Sequence, residues 1–228
     1  MPFSKRGAAA IICLCAMSSA GTAASPRDTL IRAAFATRDK AQAITLVDDA
    51  LNQTRIALAR DPKDREAQLQ QALAIGYRGQ LKRSLPDAKA TLQQLDALAA
   101  SDPRDAETQI AVGGWHLTGI ADLGTFLART VLGANKAQGL TAIDRGVALG
   151  GNRAFFPGYA ALIRIRIDAS DTAAALALAQ RASTAATPTA IDRIMQRAAI
   201  HLLPALKAGD GATASKLAKQ LLPFGGLG

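Results

Sequence analysis

The residues best suited to bind a ligand lie in one stretch, AVGGWHLTGIADLGTFLARTVLGA (111–134). It holds the only tryptophan of the chain and five of its glycines, whereas Asp122 and Arg129 are its only full charges. Ligand pockets combine a large apolar surface with a few polar groups. The stretch therefore predicts a pocket in which Trp115 is the apolar anchor and His116, Asp122 and Arg129 supply polar contacts.

Two other interpretations of residues 111–134 compete with the pocket. The stretch is also typical of a central pair of core helices, in which the glycines permit close packing and Asp122 pairs with Arg129 about two helical turns away. A transmembrane helix is disfavoured, because the two charges and five glycines interrupt the apolar run that a bilayer requires. Of the pocket and the core helix pair, the sequence favours the core helix pair, and it keeps the pocket as the alternative.

A second cluster of aromatic residues, FFPGY (155–159), follows later in the chain. Phe156 and Tyr159 are its candidate ligand contacts, since they could close a pocket from an adjacent repeat. The alternative is that these large side chains fill the seam between two packed helix pairs, where aromatic residues bury much apolar surface.

The sequence contains no recognisable catalytic or metal-binding motif. Its two histidines, His116 and His201, are far apart in the chain, and no HExxH, CxxC or carboxylate cluster accompanies them. A GxSxG nucleophile elbow and a phosphate-binding glycine loop are also absent. His201 lies in the apolar run AAIHLLPAL and is expected to be a packed core residue. We therefore predict no enzyme activity, no cofactor and no metal.

The charge of the chain is scattered. The 228 residues carry a formal net charge of +9, but Lys and Arg alternate with Asp, and aromatic residues make up only 4%. Nucleic-acid binding needs a clustered basic surface, and single strands need aromatic stacking platforms. Nucleic acid is therefore not an expected partner, and the charges are interpreted as solvated helix faces.

Residues 1–24 have the layout of a secretory signal peptide. Lys5 and Arg6 precede the apolar run GAAAIICLCAM (7–17), and small residues follow it up to a cleavage position near Ala24. The run is too short to span a bilayer as a helix. We expect residues 25–228 to form one exported domain, periplasmic or secreted, without a stable membrane anchor.

Both cysteines of the chain, Cys13 and Cys15, lie within this leader. The residues that precede them, Ile12 and Leu14, are not the small residue that a lipoprotein carries before its modified cysteine. The exported product would therefore lack thiols, disulfides and a lipid anchor. Loss of the leader's two basic residues leaves a net charge of +7.

The rest of the chain is typical of α-helices at a regular spacing, since Ala and Leu dominate it. DPKD (61–64) and DPRD (102–105) each follow a run of Ala and Leu, and the interval from Pro62 to Pro103 defines a period. Pro188 follows Pro103 at close to twice that interval, and two glycines in ALGGNRA (148–154) mark the boundary between them. Asp caps a helix start and Pro interrupts helical geometry, so these corners predict repeat boundaries.

The fold class that follows is all-α, an α-solenoid of about ten helices in antiparallel pairs, because a single pair cannot bury its apolar face alone. The predicted helices cover 65–77, 87–100, 105–119, 136–149, 156–167, 171–185, 189–207 and 212–222, after one or two helices in 25–59.

The junctions between these helices resemble those of tetratricopeptide-repeat proteins. ALARDPKDREAQ and ALAASDPRDAETQ look like inter-repeat junctions of that family, and ALKAGDGATASKLAKQLLP (205–223) resembles its turn and second helix. The interval from Pro62 to Pro103 is longer than the family's repeat, which suggests a divergent array with insertions between paired helices. The resemblance implies a role in protein interaction and not in catalysis.

The piece GGNRAFFPGYAAL (150–162) is similar to exported tetratricopeptide-repeat proteins associated with TRAP-type (tripartite) periplasmic transporters. Those relatives are often lipoproteins, whereas this chain lacks the lipobox. This second resemblance implies an association with a transporter.

The sequence favours an exported scaffold that receives a protein or peptide partner of the cell envelope in its concave groove, by helix-in-groove recognition. The alternative is a small-molecule or transporter-associated binding protein with a pocket near residues 111–134. A closed cavity beside Trp115 would favour that alternative. An enzyme is the least favoured of the three.

Overall fold

The computed structural model describes residues 24–227, and this part of the chain is helical without a strand. The signal peptide predicted for residues 1–24 therefore lies outside the described residues, apart from Ala24. The helices are α1 (Pro26–Phe35), α2 (Lys40–Arg60), α3 (Arg65–Lys82), α4 (Leu85–Ser101), α5 (Ala106–Leu123), α6 (Thr125–Leu127), α7 (Lys136–Leu149), α8 (Phe155–Ile167), α9 (Thr172–Thr184), α10 (Ala190–Lys207) and α11 (Gly211–Leu221). A π-helical turn, Ala128–Leu132, continues α6.

The helices pack in sequential pairs, which confirms the predicted all-α solenoid. α1 packs on α2, α3 on α4, α5 on α7, α8 on α9 and α10 on α11, and each pair also contacts the next along the chain. Within the described part of the chain ten helices are long, as the sequence predicts, and the single-turn α6 is the addition.

The two Asp-Pro corners have matching hydrogen bonds. In each corner the first Asp accepts a bond from the amide two positions later, and the second Asp caps the next helix. The bonds are Lys63 N to Asp61 (2.9 Å), Ala67 N to Asp64 (3.0 Å), Arg104 N to Asp102 (3.0 Å) and Glu107 N to Asp105 (3.1 Å). The repeated sequence therefore encodes a repeated helix start.

α3 is longer than predicted, since it continues past Tyr77 to Lys82. Gly79 lies within α3, where α4 approaches closely. A Cβ added at Gly79 would be 3.1 Å from Asp87 Cβ and 3.2 Å from Ala88 N. The glycine thus permits a close helix contact instead of ending the helix. The left-handed Arg83 (φ 54°) ends it.

The loop between α7 and α8 and the loop between α9 and α10 have no Asp-Pro corner, and they form hydrogen bonds with each other. Ala154 N donates to Ala186 O at 2.9 Å, and Ala186 N donates to Asn152 O at 2.9 Å. Gly151 adopts φ +63°, which glycine tolerates and other residues rarely do. Glycine therefore replaces proline at the seam between α7 and α8, as the period predicts.

The array does not remain open, because its first helix meets its last helix pair. α1 contacts α10, and Ile31 and Phe35 pack on the core of α8 to α11. Beyond α11, Phe224 N donates to Ala34 O at 2.8 Å, and the Phe224 ring lies edge-on to Tyr77 at 5.0 Å between centroids. The concave side is therefore partly enclosed by the two ends of the array, unlike the open groove expected of a scaffold.

His201 is exposed, so the prediction that it is a packed core residue is wrong. On α10 its neighbour Leu202 is fully buried, and the helix turns His201 to the opposite side. Over the described residues, no helix is long and apolar enough to cross a membrane.

Candidate functional site

The enclosed concave side forms a cavity of about 750 Å³. α1, α3, α4, α5, α8 and α10 contribute to its wall, and Lys219, Leu222 and Pro223 contribute from the end of the array. Most of the lining is aliphatic or aromatic, with a small number of polar side chains among the apolar ones. The central apolar side chains of the wall are Leu30, Leu69, Leu73, Ile110, Trp115, Ile163 and Met195.

One face of α5 lines this cavity while the other packs in the core. From Glu107 to Gly119 the cavity residues recur at helical spacing, and they are Glu107, Ile110, Ala111, Gly114, Trp115, Thr118 and Gly119. At the end of α5, Ala121, Asp122 and Leu123 all line the cavity. On the opposite face, a Cβ at Gly113 would lie 2.7 Å from Gly139 O of α7, so these two helices touch by their backbones. α5 is therefore both a core helix and part of the cavity wall.

The indole N–H of Trp115 forms a hydrogen bond that holds this side chain in the cavity wall. Its Nε1 donates to Ala88 O of α4 at 3.0 Å, and its ring packs on the adjacent apolar cluster that contains Leu69 and Leu95. Ala88 also lines the cavity. The indole therefore presents a rigid apolar surface beside the enclosed space.

Both tyrosines of the chain, Tyr77 on α3 and Tyr159 on α8, line the same cavity. Tyr159 lies against Gly114, where an added Cβ would be 2.5 Å from the phenolic oxygen. Burial raises the pKa of Tyr159 to about 12, although the nearby Thr118 side chain lowers it. Burial likewise raises the pKa of Tyr77, so both phenols stay neutral hydrogen-bonding groups.

One end of the cavity opens between exposed lining residues. Asp122 at the end of α5 is exposed there, and Gln80 Nε2 donates to its carboxylate at 3.3 Å. Removal from water raises the pKa of Asp122, while the Gln80 hydrogen bond and the positive charges of Arg166 and Lys219 lower it. Arg83 also lines this opening, which we term the mouth.

A chain of ion pairs closes the opposite end. Arg27 of α1 donates to Glu66 of α3 at 2.6 Å and to Glu107 of α5 at 2.7 Å. Arg153 contacts Glu107 at 2.8 Å and Asp192 of α10 at 3.2 Å. These five charges join the amino-terminal ends of four cavity helices.

His116 lies outside the cavity, contrary to the predicted polar contact. It is buried on the core face of α5, where its Nδ1 accepts a hydrogen bond from Asn135 N at 3.4 Å. Burial lowers the pKa of His116, while the charge of Asp96 raises it. Its position one residue after Trp115 turns it through about 100° of helix, away from the enclosed space.

Arg129 and Phe156 also lie away from the cavity. Arg129 is exposed on the π-helical turn, and the predicted Asp122–Arg129 ion pair does not form in the described structure. The break at Gly124 (φ +78°) ends α5 and removes the helical register that the prediction required. Phe156 packs beside Gly150 and under the guanidinium of Arg153, in the seam between α7 and α8, which is the alternative that the sequence offered for it. Tyr159, by contrast, lines the cavity.

The sequence analysis missed the cavity residues Tyr77, Arg166 and Lys219. A signal for Tyr77 exists, because it follows Gly76 as Tyr159 follows Gly158. At Gly158 an added Cβ would lie 2.9 Å from Met195 Cβ. The Gly-Tyr pair thus occurs at both positions where a tyrosine lines the cavity, Tyr77 and Tyr159, and in each pair the glycine lies where two helices touch.

No group of three or more His, Cys, Asp or Glu side chains within residues 24–227 is placed to hold a metal ion. No family model matches the sequence, and no curated protein or solved structure matches it either.

Proposed function

We propose that this protein binds a small, largely apolar molecule in its central cavity. The observation that carries the proposal is the closure of the array by α1, α10 and the Phe224 segment around an apolar space. Ligand sites are typically cavities of about 300–1,000 Å³ with apolar walls and few polar groups, and this cavity of about 750 Å³ matches that description.

Closure also argues against a partner helix in the concave groove. A helix has a diameter of about 10–12 Å with its side chains and needs an open trough. The contact of α1 with α10 and the Phe224–Tyr77 contact narrow the concave side and so disfavour such a trough. A small molecule requires only the mouth.

The test is a titration of the full chain with N-phenyl-1-naphthylamine, an apolar fluorophore. We expect saturable probe emission and a shift of Trp115 emission, since Trp115 lines the cavity. Ala111→Phe obstructs the cavity and should reduce binding, whereas Ala97→Phe on the exposed face of α4 is the matched control. Unsaturable probe emission, or equal binding by both variants, would contradict the proposal.

A second candidate, a protein scaffold of the cell envelope, is favoured by the apolar residues around the mouth. Six large apolar residues are exposed in the described chain. Leu85 (46% exposed) and Leu123 (41%) line the cavity, and Phe126 (84%) and Leu127 (46%) follow Leu123 closely in the chain, whereas Ile56 and Ile200 lie on other helices. Exposed apolar clusters often mark interaction sites.

This candidate is tested by crosslinking the chain in its native envelope. We expect a crosslinked protein that is lost in Phe126→Ser/Leu127→Ser and kept in Ile200→Ser, which removes an exposed apolar side chain far from the mouth. Equal crosslinking by both variants would exclude the mouth as the docking surface.

We further propose that the chain is an exported, divergent tetratricopeptide-repeat protein of the periplasm. The matching hydrogen bonds of the two Asp-Pro corners support the repeat, and the layout of residues 1–24 supports export. Amino-terminal sequencing of the protein from a periplasmic extract should begin at Ser25. A chain that retains Met1 in the cytoplasm would contradict export.

A further inference from the structure

Arg166 differs from the other half-buried arginines of the described chain. Each of the others forms an ion pair with at least one carboxylate, and they are Arg27, Arg65, Arg78, Arg153 and Arg164. Arg166 has no such ion pair among the described residues and donates only to a backbone carbonyl, Ala121 O, at 3.2 Å. Its charge is therefore incompletely compensated.

This guanidinium lies in the wall of the cavity, beside the mouth. Lys219 and Arg83 line the same region, and both are exposed. The one carboxylate of the mouth, Asp122, is held by Gln80 Nε2 at 3.3 Å. Two positive charges, Arg166 and Lys219, thus act on the single carboxylate of Asp122.

The arrangement has the chemistry of an anion site. A guanidinium carries five N–H donors in a planar fork, of which the contact with Ala121 O uses one. The remaining donors match the two oxygens of a carboxylate. Partial burial makes an uncompensated charge costly, so an anion bound there would offset that cost.

The geometry points to a ligand that is an aliphatic monocarboxylate, with its carboxylate at Arg166 and Lys219 and its chain in the apolar part of the cavity. This inference rests on the proposed function and narrows it to one class of amphiphile. An uncharged apolar molecule would leave Arg166 without a direct ion pair, since Asp122 acts on it only from a distance and also balances Lys219. A dicarboxylate would place its second charge among the apolar side chains of Ile110, Ile163 and Met195. Arg27, the cation that lines the opposite end of the cavity, is already paired with Glu66 and Glu107.

The experiment compares dodecanoate, methyl dodecanoate and dodecan-1-ol as competitors of N-phenyl-1-naphthylamine on the full chain at pH 7.5. We expect dodecanoate to bind about ten- to a hundredfold more tightly than the ester, as a charge-assisted hydrogen bond implies. Arg166→Gln should abolish that difference, and Arg129→Gln, which removes an exposed arginine outside the cavity, should preserve it.

If Arg166→Gln does not fold, the inference is tested by measuring binding to the unaltered chain at increasing NaCl concentrations. Rising NaCl should weaken the binding of dodecanoate and leave the binding of the ester unchanged, because salt screens the charge pair at the mouth. Equal affinity for acid and ester, or an acid affinity insensitive to both salt and Arg166→Gln, overturns the inference and leaves the proposed function intact. Failure of the fluorophore and all three competitors to bind overturns both.

Discussion

Replacement of Asp192 by Asn tests whether the ion pairs opposite the mouth hold the closed array together. Asp192 is fully buried and accepts bonds from Thr189 Oγ1 at 2.6 Å, Phe155 N at 3.0 Å and Arg153 Nε at 3.2 Å. It therefore connects the start of α10 to the start of α8. Asn keeps one acceptor oxygen but loses the charge, and its NH₂ group faces donors.

The size of the effect follows from what remains after the substitution. Loss of one partner of a buried ion pair typically costs about 3–5 kcal/mol. Arg153 retains Glu107 at 2.8 Å and is 28% exposed, so water and a second carboxylate reduce the cost. We expect the free energy of unfolding to fall by about 3 kcal/mol, near the lower end of that range.

The assay is urea unfolding, monitored by circular dichroism at pH 7. Asp210→Asn is the matched control, because it makes the same atomic change at an exposed helix cap where Asn is as good as Asp, and it should change stability by less than about 0.5 kcal/mol. If Asp192→Asn is as stable as Asp210→Asn, the ion pairs do not hold the closed array.

The same variant makes a prediction about pH. Burial raises the pKa of Asp192, but hydrogen bonds from Thr189, Phe155 N and Arg153 outweigh it and lower the pKa below the ordinary 3.8. A carboxyl whose pKa is lower in the folded than in the unfolded chain stabilises the fold above the unfolded pKa, and this contribution is lost as the pH falls below about 3.8. The free energy of unfolding should therefore fall less in acid for Asp192→Asn than for the unaltered chain.

Three further substitutions test the packing and the helix starts. Gly146→Ala places a Cβ 2.7 Å from Ile110 Cγ1 between α7 and α5, and should destabilise by about 1–3 kcal/mol in urea unfolding, whereas Gly133→Ala, with open space around it, tests backbone strain alone. Asp64→Ala removes the cap of α3 and should cost about 1 kcal/mol, a loss that Asp64→Asn avoids. Because His116 is buried and its pKa is lowered, the unfolded chain takes up the proton first, and the free energy of unfolding should fall below about pH 6.5. His116→Gln should reduce this dependence of stability on pH.

Of the residues predicted to line a pocket near 111–134, the structure places Trp115 and Asp122 in the cavity wall and His116 and Arg129 outside it. The helical period separates the two groups: Trp115 and Asp122 are about two helical turns apart and share a face of α5, whereas His116 is turned to α7. Arg129 follows the break at Gly124, whose effect on direction the spacing alone does not reveal.

The local sequence determined the helices and their order. Asp and Pro at the corners fix where helices begin, and the Ala- and Leu-rich runs between them form helices whose apolar faces need neighbours. These are interactions between residues close in the chain, so a single sequence suffices to predict them.

Only the tertiary structure decided that the array closes and that its concave side is a cavity. Phe224 meets Ala34 and Tyr77, and Arg166 donates to Ala121 O, across long intervals of the chain. In a solenoid the curvature follows from the rotation between successive repeats. Contacts between residues far apart in the chain depend on the sum of those rotations, which the spacing of motifs does not reveal.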